Sequence, residues 1–99
     1  MPLSRYAFIV KAPGFSPSKH STTLASEQFS MRIVGVSNLA SAIEVAQQFV
    51  ASRVQLIELC GGFSEVEALA LRVQIEHKVP VGVVGYSAEQ AQELERLFG

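Results

Sequence analysis

The chain of 99 residues is 48% hydrophobic and only 17% charged, and its formal net charge is −1. Soluble domains carry about 25% charged residues on average, so this chain has few charges for its surface. The high apolar content excludes a disordered chain. The small net charge argues against a nucleic-acid partner, because phosphate backbones are bound by clustered Lys and Arg. The length predicts a single domain over residues 1–99.

Two apolar runs have the composition of a targeting or membrane segment but not the length. Tyr6 to Val10 is too short for a signal-peptide core, and Val79 to Tyr86 is shorter than the roughly 20 residues that span a bilayer. The single cysteine cannot form an internal disulfide. We therefore expect a cytoplasmic protein with no membrane partner.

The first third of the chain predicts two strands joined by a long loop. Arg5 to Lys11 is a short apolar run bounded by charges, which indicates a buried strand. Pro13-Gly14 then predicts a type II turn, and the polar residues from Pro13 to Glu27 predict an irregular loop with one helical turn from Ser16 to His20. The alternation that begins at Phe29 and runs to Val36 predicts a second strand.

Three strand–helix units follow from this second strand onward, at a spacing of about 25 residues that is typical of βα units. The third and fourth strands are predicted at Val54 to Cys60 and Val79 to Tyr86. Ser64 to Glu67 and Ser87 to Gln90 have the capping-box pattern that opens a helix. The apolar stripes of the three helices are predicted at Leu39, Ala42, Ile43, Ala46, Phe49 and Val50, then Val66, Leu69, Ala70 and Val73, then Ala91, Leu94, Leu97 and Phe98.

This order predicts an α/β fold. We expect a small four-stranded, mainly parallel sheet with about three helices (β-loop-β-α-β-α-β-α), flavodoxin-like or partial-barrel-like. Three helices can scarcely cover both faces of such a sheet. Part of the surface is therefore predicted to be an interface, and a homo-oligomer is expected.

Each strand-to-helix junction carries a Gly-x-Ser motif, at Gly35 to Ser37, Gly62 to Ser64 and Gly85 to Ser87. Parallel strands bring these junctions to one sheet edge, where helix amino-termini favour an anion. This pattern predicts a small anionic metabolite as the ligand. The predicted contacts are Gly61, Gly62, Phe63, Ser64, Gly85, Tyr86 and Ser87. In the alternative interpretation, the serines only cap helices.

Glu58 and Cys60 are the strongest candidates for a catalytic role in this sequence. Alternation places both side chains on one face of the third strand, and Cys60 precedes a Gly-Gly turn that leads into a helix. His20, on the long loop, could reach the same sheet edge. These three residues suggest a thiol-dependent enzyme. Alternatively, Cys60 is a small core residue, Glu58 bonds to backbone or an arginine, and His20 is solvated.

The sequence contains no Cys-x-x-Cys, His-x-x-x-His, phosphate-loop or dinucleotide-binding motif, so we expect neither a metal nor a cofactor. Several segments resemble a family of small uncharacterised bacterial proteins. These segments are Ala7-Phe8-Ile9, Ala12-Pro13-Gly14, Pro17 to His20, Val34-Gly35-Val36, Ile57 to Phe63 and Val79 to Val84. The resemblance implies a free-standing cytoplasmic bacterial domain and supplies no activity. Three hypotheses therefore remain: a binding protein, a thiol enzyme, or an oligomeric subunit without catalysis.

Overall fold

The computed structural model describes residues 2–99, which form a five-stranded, mostly parallel sheet with three helices. The strands run in the order β2-β3-β1-β4-β5, and each neighbouring pair is parallel except β2 and β3. The elements in chain order are β1 (Arg5–Lys11), β2 (Ser21–Ala25), β3 (Ser30–Val36), α1 (Leu39–Ala51), β4 (Leu56–Leu59), α2 (Glu65–Gln74), β5 (Val81–Val83) and α3 (Ala88–Phe98). The α/β class is confirmed, and the flavodoxin-like order matches only roughly.

The prediction of four strands is wrong, because the predicted loop contains β2. This strand runs antiparallel to β3 at the edge of the sheet, and all five of its residues are exposed. Its sequence, Ser-Thr-Thr-Leu-Ala, has one large apolar side chain. A polar edge strand buries no face, so it lacks the alternation by which strands are found in a sequence.

The two turns predicted in the loop are confirmed. Gly14 has a φ of 84°, and the Phe15 amide donates to the Ala12 carbonyl at 3.4 Å, as a type II turn requires. The His20 amide donates to the Ser16 carbonyl at 2.8 Å, which closes one helical turn. These turns lead the chain from the end of β1 into β2.

The strands that follow α1 and α2 are shorter than predicted. β4 ends at Leu59 because the Cys60 carbonyl turns to accept the Phe63 amide at 3.1 Å. β5 is an edge strand of three residues that pairs with Ile57, Glu58 and Leu59 of β4. Both strands therefore end directly after the residues that face the core, at Leu59 and Val83.

The core lies between one face of the sheet and the helices α1 and α2. The face is lined by Ala7 and Ile9 of β1 and by Ile57 and Leu59 of β4, which are fully buried. As predicted, α1 packs through Ala42, Ala46 and Phe49, and Val45, which the prediction left out, is buried with them. The predicted stripe of α2 is wrong. Its buried residues are Ala68 and Leu71, whereas Val66, Leu69 and Val73 are exposed.

The opposite face of the sheet carries no helix within residues 2–99. We call it the helix-free face. By alternation and strand register, it is formed by Tyr6, Phe8, Val10, Thr22, Leu24, Met31, Ile33, Gly35, Leu56, Glu58 and Gly82. Its large side chains are half-buried, or exposed in the case of Leu24. A mostly parallel sheet is normally covered by helices on both sides, so a face without a helix is unusual.

Helix α3 does not join the core. All its residues are exposed, including the stripe Ala91, Leu94, Leu97 and Phe98 that was predicted to face inward. The helix is confirmed, but the prediction that its apolar stripe packs into the core is wrong. Neither α3 nor any other helix within residues 2–99 is long and apolar enough to cross a membrane.

Candidate functional site

The helix-free face holds a hydrogen-bonded pair of polar side chains, Tyr6 and Glu58. Register places Glu58 of β4 opposite Phe8 of β1 and Gly82 of β5. The Tyr6 hydroxyl donates to Glu58 Oε1, and both residues are half-buried. Glu58 therefore bonds to a phenol, and not to the backbone or arginine partner considered from the sequence.

Space remains beside the other oxygen of this carboxylate. Gly82 has no side chain, and a Cβ at that position would lie 3.9 Å from Glu58 Oε2. Within residues 2–99, Oε2 accepts no hydrogen bond. The arrangement leaves one carboxylate oxygen free to accept a donor on a mainly apolar surface.

The setting of Tyr6 changes its acidity. Burial, followed by the hydrogen bond to Glu58 and the charge of Glu58, raises the pKa of Tyr6 to about 12. The ring of Phe29 lies 6.2 Å from the Tyr6 ring, centroid to centroid, and helps to keep it from water. The phenol therefore remains a proton donor to Glu58 over the whole physiological range.

We expect the Tyr6 phenol to titrate near pH 12 when followed by its ultraviolet absorbance in a Tyr86→Phe chain. Glu58→Gln should lower this pKa because it removes the charge, while burial keeps the pKa above its ordinary value of about 10.

The raised pKa of Tyr6 also makes the free energy of unfolding depend on pH. The contribution of the Tyr6 phenol to stability is fully present below about pH 10 and is lost as the pH rises towards 12. Urea denaturation should show this loss in the parent chain and not in Tyr6→Phe. A midpoint near pH 10 would contradict the pairing.

Cys60 lies just beyond β4, where its sulfur continues the sheet ladder. The Lys11 amide donates to Cys60 Sγ at 3.3 Å, and the Cys60 amide donates to the Ile9 carbonyl at 3.1 Å. The sulfur thus occupies the acceptor position that the next carbonyl of a longer strand would fill. The thiol is half-buried against the core and bonded to backbone.

His20 is not brought next to Cys60. The His20 carbonyl accepts the Gly35 amide at 2.8 Å, so the residue lies beside β3, with β1 between it and β4. Three strand spacings of about 4.8 Å separate the two backbones by roughly 14 Å. His20 Nδ1 instead accepts the Ser16 amide at 2.9 Å, and its ring packs on Phe15.

The Gly61 to Ser64 turn leads into α2, whose amino-terminus is already occupied by side chains. Ser64 Oγ accepts the Glu67 amide at 3.1 Å, and Glu67 Oε1 accepts the Ser64 amide at 3.0 Å, as the capping box predicts. Glu67 also binds Lys11 Nζ at 2.8 Å. The hydrogen bond from Lys11 lowers the pKa of the Glu67 carboxyl below its ordinary value.

Phe63 and Tyr86 have different positions around this turn. Phe63 is 4% exposed and is a core residue, with Lys11 Nζ 5.2 Å from its ring centroid. Tyr86 is exposed, and its hydroxyl lies over Gly61, 2.7 Å from where a Cβ would stand. Two of the predicted junctions therefore meet at the carboxyl edge of the sheet, as expected for parallel strands.

The serines of the Gly-x-Ser motifs are not equivalent. Ser64 and Ser87 cap α2 and α3, and Ser87 Oγ accepts the Gln90 amide at 3.2 Å. Ser37 does not cap α1, because Asn38 does so by accepting the Ser41 amide. Gly85 has no neighbouring atom within 4 Å of a Cβ position. The Gly-x-Ser motif therefore supplies the N-cap of two helices and has no capping role at the third junction.

Sequence reasoning missed Tyr6, Gly82, Lys11 and Glu67 as members of these sites. The partner of Glu58 depends on the register between β1 and β4, which no local pattern in the sequence specifies. Lys11 could have been noticed as the charge that ends β1 at the predicted ligand edge. In the described part of the chain, no three His, Cys, Asp or Glu side chains are grouped so that they could hold a metal ion.

The comparison with known proteins supports the resemblance seen in the sequence. A search of curated proteins returned no match for the chain. A family model described as a family of unknown function (DUF6506) matches residues 4–99, which is nearly the full length. The chain therefore belongs to this family of unknown function.

Proposed function

We propose that this protein binds a small molecule through a cationic or hydrogen-bond-donating group that Glu58 receives on the helix-free face. The observation that carries the proposal is the free Oε2 of Glu58 beside the gap at Gly82. Among the strand residues of the helix-free face within residues 2–99, Glu58 alone is charged. The proposed ligand therefore has one donor group attached to an apolar body.

The physical argument is the cost of holding a carboxylate among apolar side chains. A partly buried carboxylate is disfavoured unless charged or polar partners compensate for its lost hydration. Tyr6 provides one neutral donor, and an ammonium or amidinium group would add a second charge-assisted hydrogen bond together with the opposite charge. Neighbouring Phe8 and Leu56 offer apolar contact for the rest of the ligand.

The anionic ligand at the carboxyl edge remains an untested prediction with less support. Two amides at the start of α2, those of Ser64 and Glu67, are bonded to each other's side chains, and the nearby cation Lys11 is paired with Glu67. An anion there would have to displace a carboxylate that belongs to the chain. The donor ligand at Glu58 requires no such exchange, so we favour it.

A thiol-dependent enzyme is likewise a prediction without added support. Cys60 Sγ is bonded to the Lys11 amide, and Glu58 is bonded to Tyr6. A reactive thiol would be revealed by alkylation at a rate well above that of a free cysteine, followed across pH. We retain the cytoplasmic location as a prediction, on the ground of the single free cysteine.

Benzylamine and benzoate are suitable probes because they share a ring and differ in the sign of their charge. In amide-resolved NMR titrations, we expect benzylamine to shift Gly82 and Tyr6, and benzoate to leave them unchanged. Glu58→Gln should abolish the benzylamine shifts, whereas Glu44→Gln, which removes an exposed carboxylate from α1, should retain them. Gly82→Val should also block binding, because its side chain fills the gap while the carboxylate remains.

Three outcomes would overturn the proposal. Benzylamine shifts that persist in Glu58→Gln would show that the carboxylate is not the receptor. Equal shifts at Gly82 with benzoate would show that charge is not recognised. Benzoate shifts confined to Gly61, Gly62 and Ser64 would favour the anionic ligand at the carboxyl edge instead.

A further inference from the structure

Helix α3 has the pattern of a helix that packs against another surface. Ala91, Leu94, Leu97 and Phe98 fall on one side of the helix, and the last three are 38%, 55% and 81% exposed. The opposite side is polar and includes the ion pair of Glu93 with Arg96. An exposed apolar stripe of this kind indicates that the helix has a partner elsewhere.

The position of α3 explains why the partner is not its own core. The Cα radius of gyration is 14.0 Å and the longest dimension is 40 Å. A compact chain of this length has a radius of gyration of about 13 Å. Every residue of α3 is exposed, so the helix does not pack into the core, and Tyr86, two residues before the helix, lies over Gly61.

The helix-free face lacks the layer that α3 could provide. Mostly parallel sheets are stable with helices on both faces, and this sheet has helices α1 and α2 on one. An unpartnered apolar helix and an unpartnered apolar sheet face therefore occur in the same chain. We propose that α3 of one copy lies on the helix-free face of a second copy, and that the second copy returns the same contact.

The area supports a second copy as the occupant. The exposed stripe of one α3 can bury roughly 300 Å², since a phenylalanine alone buries about 150–250 Å². When each copy places its helix on the other, two helices and two sheet faces each bury this area, about 1,200 Å² in all. This total reaches the lower end of the area that stable interfaces bury. It also leaves the contact of Tyr86 with Gly61 in place, whereas folding α3 back onto its own face would have to reorient the chain there.

This inference goes beyond the proposed ligand site and does not rest on it. Both proposals use the helix-free face, and α3 of a second copy would cover Glu58 there. The benzylamine titration is therefore decided in a Leu94→Asp chain, which should expose this face with Glu58 unchanged, and sedimentation of the parent chain reports the α3 contact.

The first test is sedimentation at micromolar concentration. We expect the parent chain to have twice the mass of one chain, and Leu94→Asp to raise the dissociation constant by at least about tenfold, because a leucine leaves the interface. Gln92→Asp, on the polar side of α3, is the matched control and should leave the constant unchanged. Leu94 belongs to no buried cluster of the monomer, so circular dichroism of Leu94→Asp should remain that of a folded chain.

The second test distinguishes exchange between copies from folding within one copy. In a Cys60→Ser background, a Leu94→Cys chain is mixed with a Phe8→Cys chain and oxidised with glutathione disulfide. A mixed covalent dimer supports exchange, and Gln92→Cys mixed with Phe8→Cys should give at least about tenfold less of it. A monomer in sedimentation overturns the proposal. So does equal yield from Gln92→Cys, or a disulfide that forms only when both cysteines are in one chain.

Discussion

Replacing Phe63 by alanine is expected to lower the free energy of unfolding by about 3–5 kcal/mol, the usual cost of removing a buried aromatic side chain. Phe63 is 4% exposed and lies in the hydrophobic core. Its ring follows the Cys60 turn and packs below the Lys11 ammonium. Its loss would leave a cavity between α2 and the end of β1. Urea denaturation by circular dichroism measures the change.

Phe63→Leu is the control for this prediction. Leucine keeps most of the apolar volume, so we expect a loss of about 1.5 kcal/mol or less. Equal losses for alanine and leucine would mean that the ring fills no cavity and would return Phe63 to the set of ligand-contact residues. A loss below about 1 kcal/mol for alanine would contradict the burial itself, because exposed substitutions have effects of that size.

Gly35→Val is expected to destabilise the protein by about 1–3 kcal/mol, as overpacking a tight position usually does. A Cβ at Gly35 would lie 2.7 Å from Cγ and Cδ2 of Phe15 and 3.1 Å from its Cβ. The Phe15 ring would have to leave β3 and carry with it the loop that holds His20. Thermal or urea denaturation gives the free energy directly.

A double-mutant cycle with Phe15→Ala isolates this contact. The cost of Gly35→Val should fall markedly when Phe15 is alanine, because the obstructing ring is gone. Gly82→Val provides the matched control, since the nearest atom to its Cβ is 3.9 Å away and valine suits a strand. Equal losses of unfolding free energy for Gly35→Val and Gly82→Val would show that the contact with Phe15 does not determine which side chain fits at position 35.

The order of strands and helices from β3 onward was predictable because burial imposes a period on each element. α1 shows this most clearly, since three of its four buried positions, Ala42, Ala46 and Phe49, are those that the helical spacing predicts. The fourth, Val45, was not predicted. The same rule failed for α2, which carries a second apolar row. Ala68, Leu71 and Ile75 have the same spacing as Val66, Leu69 and Val73, and periodicity alone cannot tell which row meets the sheet.

The candidate site was predictable only in part. Glu58 was found because a carboxylate interrupts an apolar strand, and it does lie on the helix-free face. Its partner Tyr6 was missed because pairing across strands depends on register, which tertiary packing decides. Cys60 was assigned to the face of Glu58 by extending alternation past Leu59, where the strand has already ended.

The contact of Tyr86 with Gly61 has a consequence for how the molecule could diversify. Tyr86 stands two residues before α3, and its hydroxyl lies 2.7 Å from where a side chain at Gly61 would begin. A side chain at Gly61 would displace the phenol from this position. A single small substitution in one turn would thus alter the segment that leads into the terminal helix, while the sequences of the helix and the sheet stayed the same.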